Sequence, residues 1–498
     1  MHLTLLLDML CEADPDRAVI GPLSAPVTAS MLRDAAMAVG NHIRATPAEN
    51  AVFVGMNGWE FPALIFGAAY AGRPIAPLNY RLPEADLRKL LARTAPAFGV
   101  VDADMMARAV SIDGVDVMVR EEFAALCCVR GVHLDAPEDE DDPIALTLFT
   151  SGTTGEPKAA ILRHRHLTSY VISSVEFLGA DADEAALVSV PPYHIAGVSA
   201  VLSNLYAGRR LVYMAAFDPQ AWVETAARER ITHAMVVPTM LSRIIDIIES
   251  SGERLPALRA LSYGGGRMPA ATIERALRVL PHVDFVNAYG LTETSSTIAV
   301  LSPEDHREAI ASEDNNVRRR LQSVGRPLPT VEIEIRDVDG RAVSASEAGE
   351  IYVRGDQVAG EYRTGRVTDA EGWFATKDAG WLDADGFLYI DGRLDDVIVR
   401  GGENISPGEI EDVLRTHPGV QDVAVFGVHD LQWGEKVAAV VVRSDETVTE
   451  AGLADFVRTR LRSTKTPETW AFRNELPYNE TGKLLRRVLK AEFQAVSA

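Results

Sequence analysis

From residue 51 to residue 102 the chain alternates short apolar runs with amphipathic stretches of helical length. AVFVGM (51–56) predicts a buried strand, Trp59 to Tyr70 a helix, RPIAPLN (73–79) a strand, PEADLRKLLART (83–94) a helix and FGVVD (98–102) a strand. Such a rhythm has one common solution: parallel strands, with each crossover carrying a helix back over a face of the sheet. A second alternating stretch runs from Ile144 to about Val300, so the expectation is an α/β protein with two parallel-type sheets. Beyond it the texture changes. VEIEIRDVDGR, GEIYVRG and GFLYIDGRLDD are short strands with Asp-Gly turns, which predict a small antiparallel barrel or sheet. The segment that follows, EIEDVLRTH, VQDVAVFGV, KVAAVVVR and LADFVRTRLR, has the mixture and size of a small α+β domain.

The length of 498 residues admits two to four domains at roughly 100–200 residues each. A net charge of -22 would repel a duplex or an anionic lipid surface, and an anionic substrate needs a local basic pocket. Cys11, Cys127 and Cys128 have no metal-ligand spacing and fit reduced thiols of a cytoplasmic protein. The N-terminal MHLTLLLDMLCEADPDR lacks a basic flank, and Asp8 and Glu12 interrupt it, so it predicts an amphipathic helix and not a signal peptide. The apolar run from Phe61 to Gly72 falls short of the ~20 residues that span a bilayer. No address signal is legible in the terminal AVSA. The acidic EDEDDP (138–143) is expected to be a solvated linker.

The strongest local motif is Leu148-Phe149-Thr150-Ser151-Gly152-Thr153-Thr154-Gly155-Glu156-Pro157-Lys158. An apolar run feeds a loop of glycines and hydroxyls that ends in a lysine. Backbone N–H groups, hydroxyl donors and one cation suit a phosphate chain. The spacing is not that of a Walker loop, and Pro157 blocks a helix beginning at once with Lys158. A second motif is Asn287-Ala288-Tyr289-Gly290-Leu291-Thr292-Glu293. Tyr289 offers a face to a base, Thr292 a phosphate donor and Glu293 a hard oxygen ligand for Mg²⁺. Tyr263-Gly264-Gly265-Gly266, Trp373 to Asp378, Gly392-Arg393-Leu394-Asp395-Asp396, Gly401-Gly402-Glu403-Asn404-Ile405 and Asn479-Glu480-Thr481-Gly482-Lys483 accompany them.

Taken in this order and spacing, the motifs resemble those of the adenylate-forming superfamily of acyl-CoA synthetases, firefly luciferases and peptide-synthetase adenylation domains. The likeness extends from about residue 10 to 490. The texture is most similar to acyl- and aroyl-CoA ligases, such as the chlorobenzoate-, benzoate- and fatty-acid–CoA ligases. The resemblance implies a large N-terminal AMP-binding domain (1–394) and a mobile C-terminal domain (395–498) that turns about Asp395. It further implies that Thr150 to Gly155, with Lys158, hold the β- and γ-phosphates of ATP. Tyr289 would stack on adenine, Gly264, Gly265, Gly266, Asn287, Ala288 and Gly290 would line its edge, and Thr292 would touch the α-phosphate. Glu293 would bind Mg²⁺, Asp378 the ribose hydroxyls and Arg393 the ribose side. Lys483 would bridge carboxylate and α-phosphate, and the loop with Gly402 would arrive for thioester formation. Arg81 and Trp433 match positions on the CoA side.

His194, within Pro191-Pro192-Tyr193-His194-Ile195, would flank the acyl pocket. An amino-acid substrate is not expected, because activators of α-amino acids carry an aspartate at this place. Further pocket candidates are Phe177, Ile195, Val198, Gly264, Gly265, Ala288, Ser295 and Ser296. The segment Ser463 to Glu468 departs from the pattern: Thr and Glu stand where those ligases carry basic residues for the CoA nucleotide. Either Lys465 would compensate or CoA would sit differently, and Lys377 would pair with its neighbour Asp378. The expected activity is therefore ATP- and Mg²⁺-dependent ligation of an aromatic, cyclic or medium-chain acid to CoA through an acyl-AMP. Such a protein would be a cytoplasmic monomer or homodimer, without nucleic-acid or membrane partners. Loading of a carrier protein is the alternative, disfavoured because no carrier domain follows residue 498. A silent acyl-AMP-binding homologue is disfavoured by Thr292, Glu293, Asp378, Arg393 and Lys483.

Overall fold

Twelve consecutive buried residues, Glu60–Ala71, form a helix wedged between two sheets. It lies on helix Ala29–Arg44 so closely that a Cβ on Gly67 would stand 2.5 Å from Val39 Cγ1. One apolar cluster runs through this layer from Phe53 and Leu146 of one sheet to Val188 and Leu211 of the other. Parallel strands covered on both faces are apolar throughout, which explains the continuous runs in the sequence. Burying a side chain such as Phe66 contributes about 1.5–3 kcal/mol. The structure, a computed structural model, describes all residues except 136, 138–141, 151–156, 402, 431, 479–483 and 498, and side chains except also those of 403–404 and 494–497. The expected linker at 138–141 therefore lies outside the described residues.

The first sheet has eight strands. Its parallel part runs Ile144–Thr150, Ile75–Pro77, Asn50–Val54, Ala97–Val101 and Val115–Val119. Lys158–Arg163 returns antiparallel to Ile144–Thr150, pairing Thr150 with Lys158. Pro157 thus precedes a strand, not a helix. Glu361–Tyr362 and Gly365–Arg366 extend that edge.

The second sheet has nine strands, with Asp284–Leu291, Ala260–Gly264, His233–Val236, Ala185–Val188, Arg210–Tyr213 and Ala18–Ile20 parallel in that order. Crossovers such as helix Ile195–Tyr206 and helix Pro238–Ser251 cover its faces.

The Asp-Gly-rich region forms a four-stranded antiparallel sheet in the order Val331–Arg336, Gly349–Gly355, Phe374–Leu382, Leu388–Arg393. A five-stranded sheet made only of strands from Ile398–Arg400 onward forms the smaller C-terminal domain around a core of its own. No helix among the described residues is long and apolar enough to cross a membrane.

Candidate active site

Strand Asp284–Leu291 carries Asn287 to Gly290 at its carboxyl end, where open parallel sheets bind ligands. The chain then turns sharply through the short 3-10 helix Thr292–Thr294 and re-enters the sheet antiparallel as Ser296–Leu301. Only glycine fits at 290, since a Cβ there would stand 1.8 Å from the Ser296 carbonyl oxygen. Gln357 fastens the turn: its Nε2 donates to the carbonyls of Thr294 (3.0 Å) and Thr297 (2.7 Å), and its own carbonyl accepts from Ser295 Oγ at 2.8 Å. Ser295 and Ser296 are buried, and Ser296 Oγ lies 3.1 Å from Ser199 Oγ. Both serines proposed for the acyl pocket thus make hydrogen bonds within the scaffold.

The turn presents Glu293 to a partner not legible in the sequence. Tyr362 donates its hydroxyl to Glu293 Oε1 at 2.6 Å, while the Glu293 carbonyl accepts from the amides of Ala359 and Gly360. Burial and then the Glu293 carboxylate push the Tyr362 phenol above its ordinary range, so it stays a proton donor. Tyr362 also pairs with Ala160 of strand Lys158–Arg163, and Lys158 Nζ lies 5.7 Å from its ring centroid. The phenol therefore couples the Tyr289–Glu293 segment to the strand that leaves the Thr/Gly loop. Ser151, Gly152, Thr153, Thr154 and Gly155 of that loop lie outside the described residues. No group of three or more metal-binding side chains occurs among the described residues. A single carboxylate is a donor set that suits Mg²⁺, which takes one or two protein carboxylates and completes its shell with phosphate and water.

The other end of the segment meets the antiparallel sheet. Tyr289 Oη donates to Asp378 Oδ2 at 2.6 Å, and Arg393 Nη1 donates to Asp378 Oδ1 at 2.9 Å and to the Thr376 carbonyl at 2.7 Å. Asp378 and Arg393 are directly paired residues of neighbouring strands. The structure thus brings Tyr289, Asp378 and Arg393 together. Lys377 does not pair with Asp378: it is exposed, with a left-handed φ of 65°, at an irregularity between Ala375 and Ala379 in the pairing with strand Gly349–Gly355. Asn287 Nδ2 donates to the Ser323 carbonyl at 3.0 Å.

His194 occupies the N-cap position of helix Ile195–Tyr206 without a side-chain capping hydrogen bond, and packs on Tyr193 at 4.6 Å between centroids. Burial, then the charge of Arg81, lowers its pKa to about 4, so the imidazole is neutral at neutral pH. Val198 is buried on that helix and Ile195 half-buried, whereas Phe177 packs against Tyr206 at 5.1 Å. Ala288 is half-buried opposite Gly264, whose Cβ would meet its carbonyl at 2.3 Å.

Asp395 lies in the turn Leu394–Asp396 that follows Arg393. Beyond it, Arg267 of the glycine loop pairs with Asp412 of helix Pro407–Arg415, and Ser406 Oγ donates to the Asp391 carbonyl at 2.7 Å. Gly402 and Lys483 lie outside the described residues; Tyr478 and Leu484, which flank the lysine's segment, pair in an antiparallel bridge. Trp433 is exposed and lies against Gly401, whereas Arg81 lies beside Tyr80 in the N-terminal domain. Lys465 Nζ pairs with Glu409 at 2.5 Å, and Glu468 with Arg400 at 2.5 Å. In this structure Lys465 is therefore bound to a carboxylate. Sequence reasoning missed Tyr362, Gln357 and Arg267, which carry no motif of their own.

The sequence matches the AMP-binding enzyme family over residues 9–363 and the AMP-binding enzyme C-terminal domain over residues 409–483. It is 32% identical over 474 residues to a fatty acid–[acyl-carrier-protein] ligase, ScoC, of Streptomyces coeruleorubidus, covering 91% of this chain and 88% of that one. It is also 32% identical over 488 residues to a 2-succinylbenzoate–CoA ligase of Bacillus cereus, covering 96% and 95%. The o-succinylbenzoate CoA synthetase of Bacillus subtilis, solved with the acyl-adenylate OSB-AMP, superposes with a TM-score of 0.84 at 28% identity over 97% of both chains. The same enzyme has been solved with ATP and magnesium ion, and that structure superposes with a TM-score of 0.82 at 28% identity over 97% of this chain and 99% of that one. Motif geometry, sequence and fold agree, and the chain belongs to the AMP-binding enzyme family.

Proposed function

We propose that the protein is an ATP- and Mg²⁺-dependent carboxylic acid–CoA ligase. The observation that carries this reading is the continuous ridge from Lys158 through Tyr362 and Glu293 to Tyr289, Asp378 and Arg393. Its two ends are spaced along the chain and joined in space, as an extended nucleotide triphosphate requires. Asp378 accepts the ribose hydroxyls beside Arg393, Tyr289 offers its ring to the base, and Thr292 donates to the α-phosphate. Glu293, with the phosphates, would hold Mg²⁺, which would offset phosphate charge when bound.

A carboxylate oxygen attacks the α-phosphorus, and the bond to pyrophosphate breaks. Lys483 would offset the charge of these two anions as they approach. The CoA thiolate then attacks the acyl carbon, AMP leaves, and the thioester forms. The C-terminal domain, from Asp395 onward, turns between the two steps, withdrawing Lys483 and bringing in the Gly402 loop. The acid is aromatic, cyclic or of medium chain length; the 2-succinylbenzoate–CoA ligase among the relatives supports the aromatic choice. The carrier-protein reading stays as the second one, because ScoC is a fatty acid–[acyl-carrier-protein] ligase. A cytoplasmic setting belongs to the proposal and is supported by three free thiols.

Acid-dependent exchange of labelled pyrophosphate into ATP tests the first half. Formation of product with free CoA, set against a holo-carrier protein, decides the acceptor. No exchange with any acid in a broad panel would overturn the ligase reading.

A further inference from the structure

The turn that carries Thr292 and Glu293 re-enters its sheet through two buried serines with positive φ, 57° at Ser295 and 122° at Ser296. A residue with a Cβ adopts such angles at a cost, and two in succession persist only where neighbouring groups enforce them. The strand before the turn limits its relaxation from one side. Gly290 lies so close that a Cβ there would overlap the Ser296 carbonyl oxygen, and Thr294 Oγ1 accepts from the Leu291 amide at 2.9 Å. On another side Ser296 Oγ meets Ser199 Oγ of helix Ile195–Tyr206.

The remaining restraints come from one segment, Gln357 to Tyr362. Gln357 is 1% exposed, and both hydrogens of its Nε2 are spent on the turn. They go to the carbonyls of Thr294 and Thr297, one on either side of the two serines. Ser295 Oγ donates in return to the Gln357 carbonyl. Further along the same segment, the amides of Ala359 and Gly360 hold the Glu293 carbonyl at 2.8 and 3.2 Å, and Tyr362 holds the Glu293 carboxylate. One atom of this brace serves nothing in the fold. Gln357 Oε1 is buried without a hydrogen-bond partner among the described residues, a state that costs stability. A methionine of similar length would avoid that cost, yet it could not bind two carbonyls. The amide is therefore explained by what its nitrogen holds, the backbone path that follows Glu293.

We propose that Gln357 is a positioning residue of the adenylation step: by clamping Thr294 and Thr297 it keeps Ser295 and Ser296 in their strained conformation and so fixes the direction in which Glu293 presents its carboxylate. Gln357 touches no reactant in this role. Without the clamp the two serines relax, the peptides that follow Glu293 rotate, and its carboxylate leaves the place where Tyr362 meets it. The inference rests on the adenylation reading above, with Glu293 as the metal ligand.

The test is a double-mutant cycle of Gln357→Met and Ser296→Gly with two readouts. One is calorimetric titration with ATP, in Mg²⁺ and in EDTA. The other is the Mg²⁺ dependence of pyrophosphate release. Gln357→Met is expected to raise the half-activating Mg²⁺ concentration by about 10-fold, the order expected for two lost hydrogen bonds. The gain in ATP affinity that Mg²⁺ confers should shrink by a similar factor, while KM for the acid at saturating Mg²⁺ stays the same. In the Ser296→Gly background the same change should cost about threefold or less, because glycine takes a φ of 122° without a brace. A merely structural Gln357 would lower the melting temperature and leave the Mg²⁺ dependence as in wild type, and that result overturns the proposal. An equal loss in both backgrounds overturns it too. If Gln357→Met does not fold, a folded and Mg²⁺-responsive double variant supports the proposal, and a double variant that also fails to fold overturns it. Absence of pyrophosphate release by wild type with every acid would instead bring down the adenylation reading, and this proposal with it.

Discussion

Tyr289 donates its hydroxyl to Asp378 Oδ2 at 2.6 Å, while Arg393 occupies Oδ1 at 2.9 Å. Both oxygens that would accept a ribose are thus already hydrogen-bonded, one of them by the residue whose ring would carry the base. Burial, and then Asp378 itself, raise the Tyr289 phenol well above its ordinary range, so it stays protonated and donating. Each carboxylate oxygen has a second lone pair, so a ribose hydroxyl at Oδ2 joins the phenol or displaces it.

Asp378→Asn should therefore weaken ATP binding by about 10–100-fold, the range for losing hydrogen bonds to a charged acceptor. Tyr289→Phe removes only the competing donor and should change affinity far less, in either direction. Calorimetric titration of both variants with ATP checks this. Equal losses would mean that the phenol itself holds the nucleotide.

Glu293 is set by Tyr362, so the two residues should separate into different phenotypes. Glu293→Ala is expected to abolish Mg²⁺-dependent adenylation with the fold intact. Tyr362→Phe leaves the carboxylate but loses the 2.6 Å hydrogen bond that orients it. Its activity should return at high Mg²⁺, with the half-activating concentration raised several-fold. A Mg²⁺ titration of pyrophosphate release reads both.

Half-reactions should separate the two ends of the C-terminal domain. Lys483→Ala should lose adenylation by ~10²–10³, the usual effect of removing one charge stabiliser, yet convert supplied acyl-AMP and CoA at near wild-type rate. Gly402→Leu should do the reverse. The Arg267–Asp412 pair ties the glycine loop to helix Pro407–Arg415, next to a glycine at 408 that leaves room for the guanidinium. Asp412→Ala should accordingly slow adenylation several-fold and spare thioester formation. Single-turnover kinetics of each half decide. Equal slowing of both halves by Lys483→Ala would defeat domain alternation.

Acid should unfold this protein early. Burial, chiefly, holds His164 at a pKa of about 3 and His166 and His194 at about 4, all below the ordinary 6.5. Between pH 6.5 and those values the unfolded chain binds protons that the folded chain refuses, so stability falls as pH falls through this window. Each group contributes about 1–2 kcal/mol of loss by pH 5. His164 stacks on His2 at 3.8 Å between centroids, and its Nδ1 accepts from the Leu3 amide at 3.1 Å. His164→Asn keeps an acceptor for that amide and should flatten the pH dependence of the urea midpoint between pH 7 and 5.

The periodicity of residues 51–102 was legible because apolar spacing and strand burial are local. The expected helix from Trp59 to Tyr70 is Glu60–Ala71, and the strand in FGVVD is Ala97–Val101. The Tyr289–Glu293 segment was legible for the same reason, since a turn that admits only glycine at 290 and carries a carboxylate three residues on leaves a continuous trace in the chain. Sheet membership was not. Ile144–Thr150 follows the acidic segment yet joins the first sheet beside Ile75–Pro77, and the N-terminal Ala18–Ile20 closes the second sheet beside Arg210–Tyr213. Such pairings are chosen by the helices buried between the sheets, whose faces must be covered from both sides. The tertiary structure alone decided the partners of isolated polar residues. Tyr362 reaches Glu293 across 69 residues and Gln357 braces Thr294 across 63, while Asn287, inside a motif, has its amide bound to Ser323. Such partners meet only when the sheets assemble, so no local spacing records them.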